Sequence, residues 1–159
     1  IAVASTDDKL KLAADLGADN LVLAGEDDLK GALVSANGGK KVDVVLEMVG
    51  GPTFDASLAA LAPFGRLATF GMASRTAPSP VTAGELMSRS RAVIGFWLAH
   101  CFGNPELMQP QMTELLDMVV AGTLRPLVGG TFPLADARLA HEALRSRGSV
   151  GKLVLDVRA

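Results

Sequence analysis

The sequence predicts an α/β domain with a doubly wound parallel sheet. Three features predict it: short apolar runs alternate with helical segments, acids or cap residues open those segments, and glycine or asparagine closes them. Parallel neighbours need long right-handed crossovers, and helices supply them.

Residues 1–4 are apolar, as a strand buried on both faces should be, and Ser5-Thr6-Asp7-Asp8 then offers a cap and acids for a helix N-terminus. Leu10, Ala13, Ala14 and Leu16 form that helix's stripe, and Gly17 is its stop. Residues 20–23 are a second strand. Glu26, Asp27 and Asp28 open a second helix with the stripe Leu29, Ala32, Leu33 and Ala36, which Asn37-Gly38-Gly39 terminates. Residues 42–48 are a third strand carrying Asp43 and Glu47. Pro52 fits the first turn of a helix reaching Leu61, after which Pro63 and Gly65 turn the chain. Residues 66–70 are a fourth strand. The loop 71–81 holds Pro78 and Pro80 and cannot be regular. Thr82 and Glu85 have capping-box spacing for a short helix, and 92–98 reads as a fifth, strongly apolar strand.

Asn104-Pro105 opens a helix with the stripe Leu115, Leu116, Val119 and Val120, ending at Gly122, with Pro110 confined to an irregular first turn. The chain then changes character. An extended piece 127–132, a helix 135–145 and a strand 152–157 need not join the same sheet. The expected division is therefore 1–122, a partial dinucleotide-binding domain, and 123–159, a segment returning to a second domain.

At 159 residues, 49% hydrophobic and 20% charged, the chain suits one globular domain and excludes disorder. Its longest apolar run, 92–99, is too short to span a bilayer, and no signal-peptide pattern opens the sequence, so no membrane partner is expected. A single cysteine, Cys101, cannot form an internal disulfide, and a reducing, cytoplasmic location is the expectation. A net charge of -2, six phenylalanines, one tryptophan and no tyrosine leave little to attract or stack nucleic acid. Every arginine lies at or beyond Arg66, which fits solvated helix faces better than a change of environment.

Catalytic constellations are nearly absent. In a strand, His100 and Cys101 would point to opposite faces, which is poor geometry for a shared metal. His141, beside Arg138 and Glu142, reads as part of a solvated helix face. What remains is the set of strand carboxyl ends, where open α/β sheets bind ligands. Those ends hold Ser5, Thr6 and Lys9; Glu47-Met48-Val49-Gly50-Gly51; Phe70-Gly71; and Gly95-Phe96-Trp97-Leu98. Taken together they suggest a cleft for a flat, elongated ligand.

The runs Ile1-Ala-Val-Ala-Ser-Thr-Asp-Asp-Lys-Leu, Leu16-Gly-Ala-Asp19, Gly38-Gly-Lys-Lys-Val-Asp-Val-Val-Leu-Glu-Met-Val-Gly-Gly51, Phe64-Gly-Arg-Leu and Gly151-Lys-Leu-Val-Leu155 resemble the medium-chain dehydrogenase/reductase superfamily. Within it the chain is most similar to the zinc-free quinone oxidoreductases. In that family the first Rossmann strand and its glycine-rich turn precede the strand matching residues 1–4. The resemblance therefore implies a partial Rossmann domain whose central strand is missing between the strands at Ile1 and Val42.

The resemblance further implies an enzyme that transfers a hydride from NADPH to a small quinone or enone, this fragment alone being inactive. Val49, Gly50, Phe70, Gly71, Phe96, Trp97 and Leu98 would line the nicotinamide and its ribose, Ser5, Thr6 and Lys9 the adenosine phosphate, and Lys152 the cofactor cleft. It implies no catalytic side chain and no metal ligand, and a homodimer through the strand 92–98. Two rivals stand beside this reading: a zinc-dependent alcohol dehydrogenase or enoyl reductase of the same superfamily, and a non-catalytic interaction module.

Overall fold

Hydroxyl and carboxylate caps fix where the helices begin. In a computed structural model, which describes every residue except Glu26 and Arg147, the Thr6 hydroxyl accepts from the Lys9 amide at 3.4 Å and opens α1 (Asp7–Asp15). The expected acid at Glu26 lies outside the described residues. Asp28 accepts from the Gly31 amide at 2.8 Å and opens α2 (Leu29–Ala36), and Thr82 accepts from the Glu85 amide at 3.2 Å at α4 (Ala83–Met87). Each cap is worth about 1 kcal/mol against alanine. Gly17, at φ 102°, turns the chain out of α1 in the left-handed conformation that glycine adopts without penalty.

The chain divides into two units, Ile1–His100 and Cys101–Ala159; the sequence reading places the change near Thr123. In the first unit β1 (Ala2–Ala4) pairs in parallel with β2 (Leu21–Leu23). Separately, β3 (Val42–Glu47), β4 (Leu61–Thr69) and β5 (Ala92–Gly95) form a three-stranded parallel sheet in that order, with α3 (Gly51–Ala60) crossing between β3 and β4. Every pairing is parallel, as the alternation of elements predicts. The sheet divides between β1 and β3, where the resemblance leaves out the central strand.

Apolar packing joins the two sheets through their helices. Val22 of β2 and Leu29 and Leu33 of α2 cluster with Ala60 of α3, while Phe54, Leu58, Leu61 and Leu67 form a second core beneath β4. Lys41 and Arg91 hold the C-terminal end of α3, donating to the carbonyls of Ala59 at 2.9 Å and Leu58 at 2.6 Å, where cations oppose the helix dipole. Burial pushes the Lys41 ammonium below the usual lysine range, and Arg89, Lys30 and Arg91 add like-charge repulsion. On β3, Val44 and Leu46 are 66% and 74% exposed. Two such side chains forgo about 1.5–3 kcal/mol each in burial.

Two strand boundaries differ from expectation. Pro63 and Gly65 lie within β4 rather than in a turn before it; Phe64, at φ 64°, kinks the strand, and its register on β3 shifts between Val42 and Val44. Regular pairing nonetheless resumes at Arg66. The expected strand 92–98 stops at Gly95. The partner strand β4 ends at Thr69, so beyond one further bond, from the Phe96 amide to the Thr69 carbonyl at 2.9 Å, the chain has no ladder to follow. It turns instead into a 3-10 segment, Leu98–Cys101.

In the second unit α5 (Pro105–Val120) begins at Asn104, whose side chain accepts from the Glu106 amide at 3.1 Å. Pro110 sits inside this helix, not in an irregular first turn. Lacking an N–H, it removes one bond to the carbonyl four residues back, and the helix carries on past it. Leu115, Leu116, Val119 and Val120 are exposed. β6 (Val128–Pro133) and β7 (Lys152–Asp156) make their own parallel pair, as the change of character implied, and α6 (Ala137–Arg145) packs against both. A 3-10 turn, Leu134–Asp136, replaces the start of the expected helix 135–145. His141 is exposed on α6 beside the Arg138–Glu142 ion pair. Among the described residues no helix is long and apolar enough to cross a membrane.

Candidate cofactor cleft

Three parallel strands in register bring their carboxyl ends to one level. Glu47 pairs with Thr69 and Thr69 with Gly95, so the residues that leave β3, β4 and β5 emerge side by side. An open cleft of about 520 Å³ lies at the ends of β4 and β5, lined by Thr69, Phe70, Gly71, Met72, Gly95, Phe96, Trp97 and His100. The sequence reading placed Phe70, Gly71, Phe96 and Trp97 in such a site, and the fold brings these four together.

The adjoining turn explains its glycines. Gly50 has φ 79°, and a Cβ there would stand 2.8 Å from Met72 Cγ and 3.0 Å from the Thr76 carbonyl oxygen. A Cβ at Gly71 would come within 3.0 Å of the Met48 carbonyl oxygen. Any side chain would push apart two segments that the backbone ties together: the Ala73 and Ser74 amides donate to the Met48 and Val49 carbonyls at 2.9 Å each. Val49 and Gly50 thus frame the loop over the cleft without lining it.

The Glu47 carboxylate, only 3% exposed, anchors the turn from within. One of its oxygens accepts from the Val49 amide at 2.7 Å and the Gly50 amide at 2.9 Å; the other lies 3.5 Å from the Thr69 hydroxyl. Hydrogen bonds to a carboxylate are about twice as strong as neutral ones.

His100 was missed as a cleft residue. In a continuous strand it would be one of two neighbours on opposite faces, but the 3-10 segment carries it back: its amide donates to the Trp97 carbonyl at 3.0 Å, and its ring meets the Trp97 indole edge-on, centroids 5.2 Å apart. The spacing of three from Trp97 is the signal, legible once 98–101 is read as helical. Thr69 and Met72 were likewise missed as cleft residues, whereas Gly95, read at the end of the fifth strand, lines it. Leu98, expected there, does not line the cleft.

The remaining expected contacts lie elsewhere. Ser5, Thr6 and Lys9 stand where β1 runs into α1, on the other sheet, with the Thr6 hydroxyl engaged as the cap. Asp7 and Asp8 occupy the first turn of α1. Lys152 begins β7, in the second unit.

The zinc-binding dehydrogenase family model matches residues 16–155. A 2-haloacrylate reductase of Burkholderia sp is 32% identical over 158 residues, 98% of this chain and 47% of that protein. A quinone oxidoreductase of Pseudomonas aeruginosa is 31% identical over 159 residues, 98% of this chain and 48% of the relative. Among solved structures, the quinone oxidoreductase of Thermus thermophilus, described with its NADPH complex, superimposes with a TM-score of 0.80 at 36% identity, over 98% of this chain and 48% of that one. The chain spans about half the length of the relatives it matches. Among the described residues, no three His, Cys, Asp or Glu side chains are placed to hold a metal ion. Matched along most of its length by the family model, and similar to quinone oxidoreductases and reductases, the chain belongs to the zinc-binding dehydrogenase family, on the quinone oxidoreductase-like side of the medium-chain dehydrogenase/reductase superfamily.

Proposed function

We propose that this chain is the cofactor-holding part of a cytoplasmic, zinc-free oxidoreductase that takes a hydride from NADPH and delivers it to a small quinone or activated alkene. The carrying observation is the cleft at the ends of β4 and β5, lined by Phe70, Met72, Phe96 and Trp97. When bound, NADPH supplies the two-electron chemistry, so the protein need only bind, orient and exclude water. Phe70, Phe96 and Trp97 would cover the nicotinamide, with Val49 and Gly50 holding the loop beside it. Ser5, Thr6 and Lys9 would take the adenosine phosphate, and Lys152 would approach the cofactor. The assembled enzyme would pair through the free edge of β5.

An acid that accepts the ribose hydroxyls of NAD commonly ends the second strand of such a domain; here Ala4 ends β1, and Ser5, Thr6 and Lys9 follow. In the polypeptide carrying this sequence, quinone-dependent oxidation should therefore favour NADPH over NADH. Replacing Lys9 with glutamate should cut that preference by about tenfold, the scale of one charge-assisted hydrogen bond. An unchanged preference would remove Lys9 from the site.

Metal analysis of the dialysed protein should show no stoichiometric zinc, since a catalytic site needs three protein ligands at close quarters. One bound equivalent that disappears in Cys101→Ser would favour the zinc-dependent reading instead.

A further inference from the structure

We propose that His100 is the proton donor of the reaction, handing a ring proton to the acceptor once the hydride has arrived. The inference rests on the nicotinamide reading above.

Reduction of a quinone to a hydroquinone takes one hydride, from NADPH, and one proton. The hydride brings both electrons, so the acceptor oxygen is left anionic until the proton reaches it. Most of the cleft wall has no such proton to give. Phe70, Met72, Phe96 and Trp97 carry no side-chain group acidic enough near neutral pH, Gly71 and Gly95 have no side chain, and the Thr69 hydroxyl lies 3.5 Å from the Glu47 carboxylate. Among the described residues lining the cleft, only His100 carries a group suited to proton transfer near neutral pH, an imidazole.

Its placement suits the task. His100 is exposed, and among the described residues its ring meets Trp97 while no hydrogen bond engages its nitrogens. The two centroids stand 5.2 Å apart, so a flat acceptor packed on the indole has the imidazole beside it. The cleft, about 520 Å³, has the size of a whole small-molecule site, roughly 300–1,000 Å³, and so holds more than a single ring. In the proton step an imidazolium N–H bond breaks, an O–H bond forms on the acceptor, and the neutral imidazole regains its proton from water.

The anion 4-nitrophenolate mimics the acceptor before protonation, and 4-nitroanisole has nearly its shape without the charge. In the 159-residue chain, whose only histidines are His100 and His141, the phenolate should move the ring resonances of His100 and the indole N–H of Trp97 and leave those of His141, on α6, in place. His100→Phe keeps a ring against Trp97 and should weaken phenolate binding about tenfold, the scale of one charge-assisted bond, with anisole binding unchanged. His100→Gln still donates a hydrogen bond but has no proton to give, so phenolate binding should stay near that of the unaltered chain. In the polypeptide carrying this sequence, the same variant should cut the quinone-dependent rate about a hundredfold, the lower end for general acid catalysis, with KM little changed, and added imidazole should restore part of it.

A separate titration checks the reading beneath: 1-benzyl-1,4-dihydronicotinamide should quench the fluorescence of Trp97, the only tryptophan, in the unaltered chain. No quenching overturns the nicotinamide reading and this inference with it. Quenching accompanied by equal phenolate binding in the unaltered chain and in His100→Phe, by loss of anisole binding together with phenolate binding in that variant, or by an undiminished rate in His100→Gln refutes the role of His100 and leaves the nicotinamide reading standing.

Discussion

Calorimetric titration of the 159-residue chain with NADPH is expected to give a dissociation constant of about 10⁻⁴ M or weaker, near -5 kcal/mol. Dinucleotide affinity in this fold rests heavily on backbone amides of a glycine-rich turn and on the helix N-terminus behind it, which together hold the pyrophosphate. Among the described residues no glycine-rich turn leads into α1, which opens on Thr6 and Asp7, or into α2, which opens on Asp28, and α3 opens on Gly50-Gly51 with Glu47 bound to the Gly50 amide. The aromatic cleft contributes only part of the contact, because Phe70, Phe96 and Trp97 are 44%, 53% and 67% exposed and enclose little. A constant near a micromolar, about -8 kcal/mol, would show that the pyrophosphate is held by other groups.

Sedimentation should show the unaltered chain self-associating through β5 and the Gly95→Pro variant as a monomer. β5 lies at the edge of the three-stranded sheet, and Ile94 is 49% exposed. No proline or lysine protects that edge. The choice of residue follows from the ladder. The Phe96 amide reaches across to the Thr69 carbonyl, and amides alternate in direction along a strand, so that of Ile94 also faces β4 while those of Val93 and Gly95 face outward. Proline at Ile94 would break the sheet itself; proline at Gly95 removes an outward donor and leaves the ladder with β4 whole. A Cβ at Gly95 would meet nothing within 4 Å. Twofold pairing of such edges is isologous and needs no second surface. A folded Gly95→Pro chain that remains a dimer would exclude this interface.

Local chemistry was the legible part of this molecule. Thr6, Asp28, Thr82 and Asn104 cap the helices whose starts they mark, because a cap depends only on residues two or three places away. The end of β5 was illegible for the opposite reason: 92–98 is uniformly apolar, and what stops the strand is that β4 offers no partner past Thr69. His100 was lost with it, since its place in the cleft follows from the turn that replaces the strand. Glu47 stood out as an acid in an apolar run, but its partners Val49, Gly50 and Thr69 become visible only once two strand ends meet. Pro110 shows the limit of a strong local rule, for one missing bond does not end a helix of sixteen residues.

The divide between the two sheets of the first unit also governs how the molecule comes apart. β4 is hydrogen-bonded on both sides, and its Leu61 and Leu67 are fully buried, whereas among the described residues β1 and β2 pair as strands only with each other and meet the rest of the unit chiefly through α2 on α3 and Val22 beside Ala60. Opening of β1, α1 and β2 breaks few contacts with the three-stranded sheet, so it is a sub-global event with its own, smaller free energy and leaves the β4 amides protected. A ligand gripped by both halves would bind only when both are closed. Its binding energy would then be shared between the two opening reactions, and denaturation that proceeds in two steps without the ligand would merge into one with it.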